Sequence, residues 1–256
     1  MTIPSPANDA ALDERFARLS AEAALFMRDH VLSLVSHDLR SPLNAIHSWA
    51  YVLERKLDAS DASAQRALTG IRSGVDQQVK LLEEVVDSTR AQTKTLALVR
   101  EPFALRPLVE SVAGVVRAML ADARHVSLSI ESPLDGETLD GDRERLLQAL
   151  WTMLTFAVEA SAPEAAVTVA SVIEGGHWQV EVTHTMSFAA LGNTELPHAL
   201  ERFACKQATH PREAGRIAWV LALPQRVATA HDGMFTQGET ADGEKSTLTL
   251  RVPLTA

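Results

Sequence analysis

The stretch SHDLRSPL, Ser36 to Leu43, brings an imidazole, a carboxylate, a guanidinium and a hydroxyl together just ahead of a proline. An imidazole in water is a nucleophile near neutral pH. The neighbouring carboxylate of Asp38 can orient the His37 ring or accept its proton. Arg40 and Ser41 can hold an incoming phosphoryl group. Pro42 deprives the Asp38 carbonyl of its helical partner, which predicts a local loosening and a kink below the histidine. Each helical residue advances by 100°, so Val35 and Leu39 lie about 160° from His37. The apolar stripe therefore turns away, and His37 faces water. His30, seven residues before it, and Ser41 and Asn44, four and seven after it, share the same strip.

Two long helices must carry these residues. From about Ala10 to Leu57, apolar residues recur at three- and four-residue steps. Asp58 to Ser63 reads as a polar turn. A second helix is predicted from Ala64 to Leu96, with Leu68, Ile71, Val75, Val79, Leu82 and Val86 close to a heptad step. The pair makes an antiparallel hairpin. One hairpin leaves part of its apolar stripe wet, so a second copy completing a four-helix bundle is expected. This helical domain covers residues 10–97. REPFALRPLVE, with two prolines, reads as the junction to a second domain over residues 98–256. There the pattern predicts a helix at 106–123, a strand at 125–131 and a helix at 142–161. AVTVASVI and WQVEVTHT alternate as half-buried strands on either side of Glu174-Gly175-Gly176, a hairpin. An irregular region, 186–213, precedes a helix at 214–231 that should kink or break at Pro224. Two strands, around 234–237 and 246–252, close an α/β sandwich.

The composition excludes several classes. The 256 residues carry a formal net charge of −9, which argues against nucleic acid as the main partner. The single cysteine, Cys205, excludes an intrachain disulfide and a cysteine-rich metal centre and suits the cytoplasm. The histidines do not fall at metal-ligand spacings. No apolar run reaches the length of a membrane span, and the N-terminus lacks the features of a secretory signal.

SHDLRSPL resembles the H-box of sensor histidine kinases: Ser/Thr-His-Asp/Glu-Leu-Arg/Lys-Ser/Thr-Pro-Leu. Every position matches. The resemblance implies a dimerisation and phosphotransfer bundle, with His37 as phosphoacceptor and Asp38 as its acid–base partner. It also places Ser41 where the family, more often with Thr or Asn, positions a water for dephosphorylating a partner. The element order of 106–254 is similar to the ATP-binding domain of the same kinases, the Bergerat fold. DRERLLQALWTMLTFAVEAS aligns to its first nucleotide motif. Leu146, Gln148, Leu150, Leu154 and Ala157 fit the scaffold, but Thr152 and Phe156 stand where the family has asparagines. The second of those asparagines ligates the nucleotide's magnesium, and phenylalanine offers no oxygen to a hard cation. At the next motif, Asp-x-Gly-x-Gly, His184 replaces the adenine-reading acid, and Met186 and Phe188 replace the glycines. At the last glycine loop only Gly215 remains, too little for a phosphate cradle.

The resemblance thus implies a phosphoacceptor half that keeps its chemistry and an ATPase-like half that keeps its fold. That combination is similar to a histidine phosphotransfer protein derived from a kinase. Such a dimer exchanges phosphoryl groups with response-regulator receiver domains through His37. No cofactor is expected in this chain, and magnesium is expected on the receiver. The readings left open are a sensor-less kinase with a divergent nucleotide site and a non-catalytic scaffold.

Overall fold

The structure is a computed structural model that describes residues 6–56, 61–90, 96–202, 218–240 and 243–254. It opens with two long helices, α1 (Pro6–Glu54) and α2 (Ala62–Arg90). α1 is 49 residues long and continuous through Pro42, so the expected loosening does not interrupt it. Asp61 starts α2: its Oδ1 accepts from the backbone N–H groups of Ser63 and Ala64, both at 3.0 Å, two of the donors that a helix N-terminus leaves without partners. Residues 58–60 of the expected turn, and Leu57 before them, lie outside the described residues.

The chain forms two compact units: Arg28–Thr95, and Met1–Met27 together with Leu96–Ala256. The first turns of α1 therefore group with the α/β unit, whereas the sequence places them with the hairpin. The chemistry of that segment explains it. The Phe16 ring meets Trp151 edge-on at 5.5 Å, and Leu19, Ala23, Phe26 and Met27 are buried. Arg226 lies over the Phe26 ring. Arg145 pairs with Glu22 at 3.6 Å, and Arg18 pairs with Glu144.

In the Arg28–Thr95 unit, Leu43, Ala50, Leu68 and Val75 are buried. Arg72 pairs with Glu54 across the hairpin at 3.0 Å. Much of the apolar stripe stays in water. Ten of the thirteen exposed large apolar side chains among the described residues belong to this hairpin, including Val35, Leu39, Ile46 and Leu81.

The α/β unit begins with β1 (Glu101–Ala104), which runs antiparallel to β3 (Thr138–Gly141) in a small separate sheet. α3 (Leu105–Val116) follows and widens into a π turn, Arg117–Ala121, before β2 (Ser127–Glu131). Next come α4 (Arg143–Glu159), the hairpin β4 (Ala166–Glu174) and β5 (His177–His184), and α5 (Phe188–Gly192). A 3-10 turn, Trp219–Leu221, leads into α6 (Ala222–Ala230), and β6 (Met234–Glu239) and β7 (Ser246–Pro253) finish the unit. The main sheet has the order β2-β4-β5-β7-β6. β2 and β4 are parallel and the other pairs antiparallel. The predicted hairpin turns through Gly175 and Gly176, both at positive φ (56° and 76°), where glycine is the undemanding residue. At Gly233 a Cβ would lie 2.1 Å from the Arg251 carbonyl oxygen, so only glycine lets the chain enter β6.

Two expectations change here. The proline-bearing junction is itself structure: Pro102 sits in a strand of the two-stranded sheet, and Pro107 is the third residue of α3. Pro224 likewise is the third residue of α6. Backbone N–H groups there have no intrahelical partner to lose, so proline starts this helix rather than kinking it. The first part of the expected 214–231 helix, with Gly215, lies outside the described residues.

α4 packs between α3 and α6 and against β5. It is buried along most of its length from Leu146 to Glu159. Asp142 caps it, accepting from Arg145 N–H at 3.0 Å. On β5 the residues facing the helices are Trp178, Val180, Val182 and His184, every second one and all fully buried.

Candidate functional site

His37 lies mid-helix on α1, with its side chain 81% exposed. Its Nδ1 is 3.3 Å from Asp38 Oδ1. With Nδ1–H donating to that carboxylate, Nε2 carries the lone pair and points away from the acid. Ser41, Pro42 and Asn44 are exposed beyond it, and His30 is half-buried. Arg40 is also exposed, and its guanidinium pairs with Glu83 of α2 at 3.5 Å. Sequence spacing did not reveal that partner, because it comes from the other helix. Of the expected exposed strip, His37, Ser41 and Asn44 are exposed, and His30 is only partly so. Val35 and Leu39, on the opposite side of α1, are 39% and 43% exposed instead of buried.

A cleft opens on the same hairpin. Asn44 and His47 of α1 line it together with Val75, Asp76, Val79, Lys80 and Glu83 of α2.

The second constellation lies in the α/β unit. Phe156 of α4 and His184 of β5 are fully buried. Their rings meet edge-on, with centroids 5.9 Å apart. Both partners follow from local periodicity. His184 is in phase with the buried row of β5, and Phe156 stands one turn past Thr152 on α4. Neither ring nitrogen of His184 has a hydrogen-bond partner among the described residues. Burial lowers its pKa to about 4, so the ring is neutral at physiological pH. The Thr152 hydroxyl is turned back into its own helix, donating to the Gln148 carbonyl at 2.9 Å. Met186 is half-buried and Phe188 exposed on α5, whose first turn Ser187 caps. Gly215 lies outside the described residues.

These groups do not fit a magnesium nucleotide. The position of the expected magnesium ligand holds a buried phenyl ring. The position of the adenine-reading acid holds a neutral imidazole pressed against that ring. The sequence named Phe156 and His184 separately; that they touch is visible only once α4 is laid on β5.

Comparison with known proteins agrees with both units. The His Kinase A (phospho-acceptor) domain matches residues 27–94. A crystal structure of a histidine kinase from Burkholderia phymatum superposes with a TM-score of 0.78 at 55% identity, covering 95% of this chain and 99% of that one. Among curated proteins, the autoinducer 2 sensor kinase/phosphatase LuxQ of Vibrio parahaemolyticus is 24% identical over 96% of this chain and 29% of its own length. The histidine protein kinase DivJ of Caulobacter vibrioides is 27% identical over 95% of this chain and 40% of its own. The chain thus spans less than half the length of either curated relative. No described helix is long and apolar enough to cross a membrane. A phosphoacceptor hairpin followed by a kinase-type α/β unit, shared at 55% identity with a solved histidine kinase, places this chain in the histidine kinase family of two-component signalling.

Proposed function

We propose that the chain is a histidine phosphotransfer protein. It accepts a phosphoryl group from one response-regulator receiver domain at His37 and delivers it to another, and its α/β unit does not bind ATP. The observation that carries this reading is the contrast between the two constellations. His37 is exposed with its acid beside it, while Phe156 and His184, standing where the resemblance expects the magnesium and adenine ligands, are buried with touching rings. The chemistry asks little of this chain. His37 Nε2 attacks the phosphorus of an aspartyl phosphate, the acyl O–P bond breaks, and the donor carboxylate leaves. Asp38 holds the imidazole and stabilises the charge that develops on the ring. The step reverses towards a second receiver. Magnesium, in this reading, belongs to the receiver. Ser41 and Asn44 form the docking strip beside His37, and Arg40 reaches the phosphoryl group by leaving Glu83. The exposed stripe of the hairpin pairs with a second copy, giving a homodimeric four-helix bundle.

The test offers the pure protein labelled ATP in one tube and labelled phospho-receivers in another. Label should reach wild type only from a receiver. His37→Ala should take none and keep its fold, since its loss from an exposed site opens no cavity. Asp38→Ala should slow transfer roughly 10²- to 10⁴-fold. Label from ATP at His37 would establish a kinase with a divergent site. Equal labelling of His37→Ala would leave a scaffold.

A further inference from the structure

The C-terminal end of α4 holds a buried ionic cluster that phosphotransfer does not use. Glu159, the last residue of α4, is fully buried. Its Oε1 accepts from the backbone N–H groups of Ala199 and Leu200, at 2.7 and 3.0 Å. Its Oε2 lies 3.0 Å from Nδ1 of His198. The other ring nitrogen, Nε2, lies 2.9 Å from the Asn193 carbonyl oxygen. A carboxylate and a carbonyl only accept hydrogen bonds, so both ring nitrogens must donate, and only the imidazolium has two N–H groups. Arg124, fully buried as well, donates to the carbonyls of Pro197 at 2.8 Å and Glu159 at 2.7 Å, and approaches that of Ala190. The chain held in this way, from Asn193 to Leu200, has no regular structure; Asn193, Thr194, Glu195 and Pro197 are exposed, Leu196 and Ala199 half-buried, and Leu200 and the His198 ring buried. Buried charged groups tie it to the end of α4, three residues beyond Phe156.

We infer that His198 is a proton-operated latch: as the doubly donating cation it fastens Asn193–Leu200 to the end of α4, and losing one proton releases that segment. The neutral ring has a single N–H. It must abandon either the buried Glu159 oxygen, which is then short of a partner, or the exposed Asn193 carbonyl, whose tie to the ring is then lost to water. The charged groups facing the ring are Glu159 of α4 and Arg124, which follows the π turn. The carboxylate's hydrogen bond favours the cation, opposed by burial and by Arg124, and the balance raises the His198 pKa above the ordinary histidine value. The sign follows: the latch is closed below that ordinary value and opens as pH rises through the raised one. The inference does not depend on whether His37 carries phosphoryl groups.

Hydrogen exchange on the full-length protein between pH 6 and pH 9, corrected for intrinsic exchange, reads the latch at the Ala199 and Leu200 amides. Their protection should fall roughly 10- to 100-fold across that range, the weight of a charge-assisted hydrogen bond. In His198→Gln protection should be low and flat with pH. Nitrogen NMR of histidine-labelled wild type supplies a readout that needs no variant: both His198 ring nitrogens should be protonated at pH 6, with a midpoint above that of free histidine. Flat protection in wild type, an unchanged fall in His198→Gln, or a neutral tautomer at pH 6 would each overturn the latch.

Discussion

The buried imidazole of His184 carries a pH consequence of its own. Burial holds its pKa at about 4 against an ordinary 6.5. Its folded value is depressed, so the stability it permits is complete above the unfolded value and drains away as pH falls towards 4. The interval corresponds to roughly 3 kcal/mol. Unfolding midpoints at pH 7 and pH 4 should differ more in wild type than in His184→Leu; equal differences would mean that the ring does not titrate with folding. Its partner gives a second test. Phe156→Asn removes a buried ring and places an amide against an imidazole that already lacks partners. It should cost roughly 3–5 kcal/mol, the scale of a large-to-small core change. It should not create micromolar magnesium–ATP affinity, because His184, Met186 and Phe188 remain. Calorimetry checks the affinity and denaturant melts check the cost. His37 was legible from sequence because its motif is local. The Phe156–His184 contact was not, because it joins residues 28 positions apart through the packing of a helix on a strand.

At the scale of elements, the hairpin has two kinds of apolar residue, and the structure separates them. Val75 is buried within the single chain, whereas Leu39 and Ile46 are exposed. Leu39→Glu should therefore dissociate the proposed dimer while leaving the hairpin helical, and Val75→Glu should unfold the hairpin itself. Light scattering and circular dichroism on each variant distinguish the two. An intact dimer in Leu39→Glu would move the interface elsewhere. Sequence periodicity put both kinds in one stripe, since it reports an apolar face and not what covers it. The β4–β5 hairpin was legible because alternation and Glu174-Gly175-Gly176 are both local signals. β1 and β3 were not, being four residues each and paired across some 35 positions of chain, with a proline inside β1. The prolines misled in one direction. Pro107 and Pro224 read as interruptions but occupy first turns, where they interrupt nothing.

At the scale of the whole molecule, the division of the chain does not follow the division of its motifs. α1 contributes its first turns to the α/β unit and its remainder to the phosphoacceptor unit. Leu19, outside every motif, is fully buried. Leu19→Ala should cost roughly 2–5 kcal/mol, and the loss should appear in the melting of the α/β unit, followed by Trp151 and Trp178 fluorescence. No loss there would mean that these turns are dispensable to it. The ring pair at Phe156 and His184 has a further meaning for the living cell. A domain that binds a metabolite is stabilised in proportion to the logarithm of that metabolite's concentration, so its folded population follows supply. A domain whose pocket is filled by its own side chains has no such dependence. On the proposed reading, in which the α/β unit binds no ATP, a fall in adenylate energy charge would cost a nucleotide-binding kinase domain part of its support and leave this one unchanged. A relay built on the proposed transfer would then stay in working order in the condition where ATP-dependent signalling is weakest.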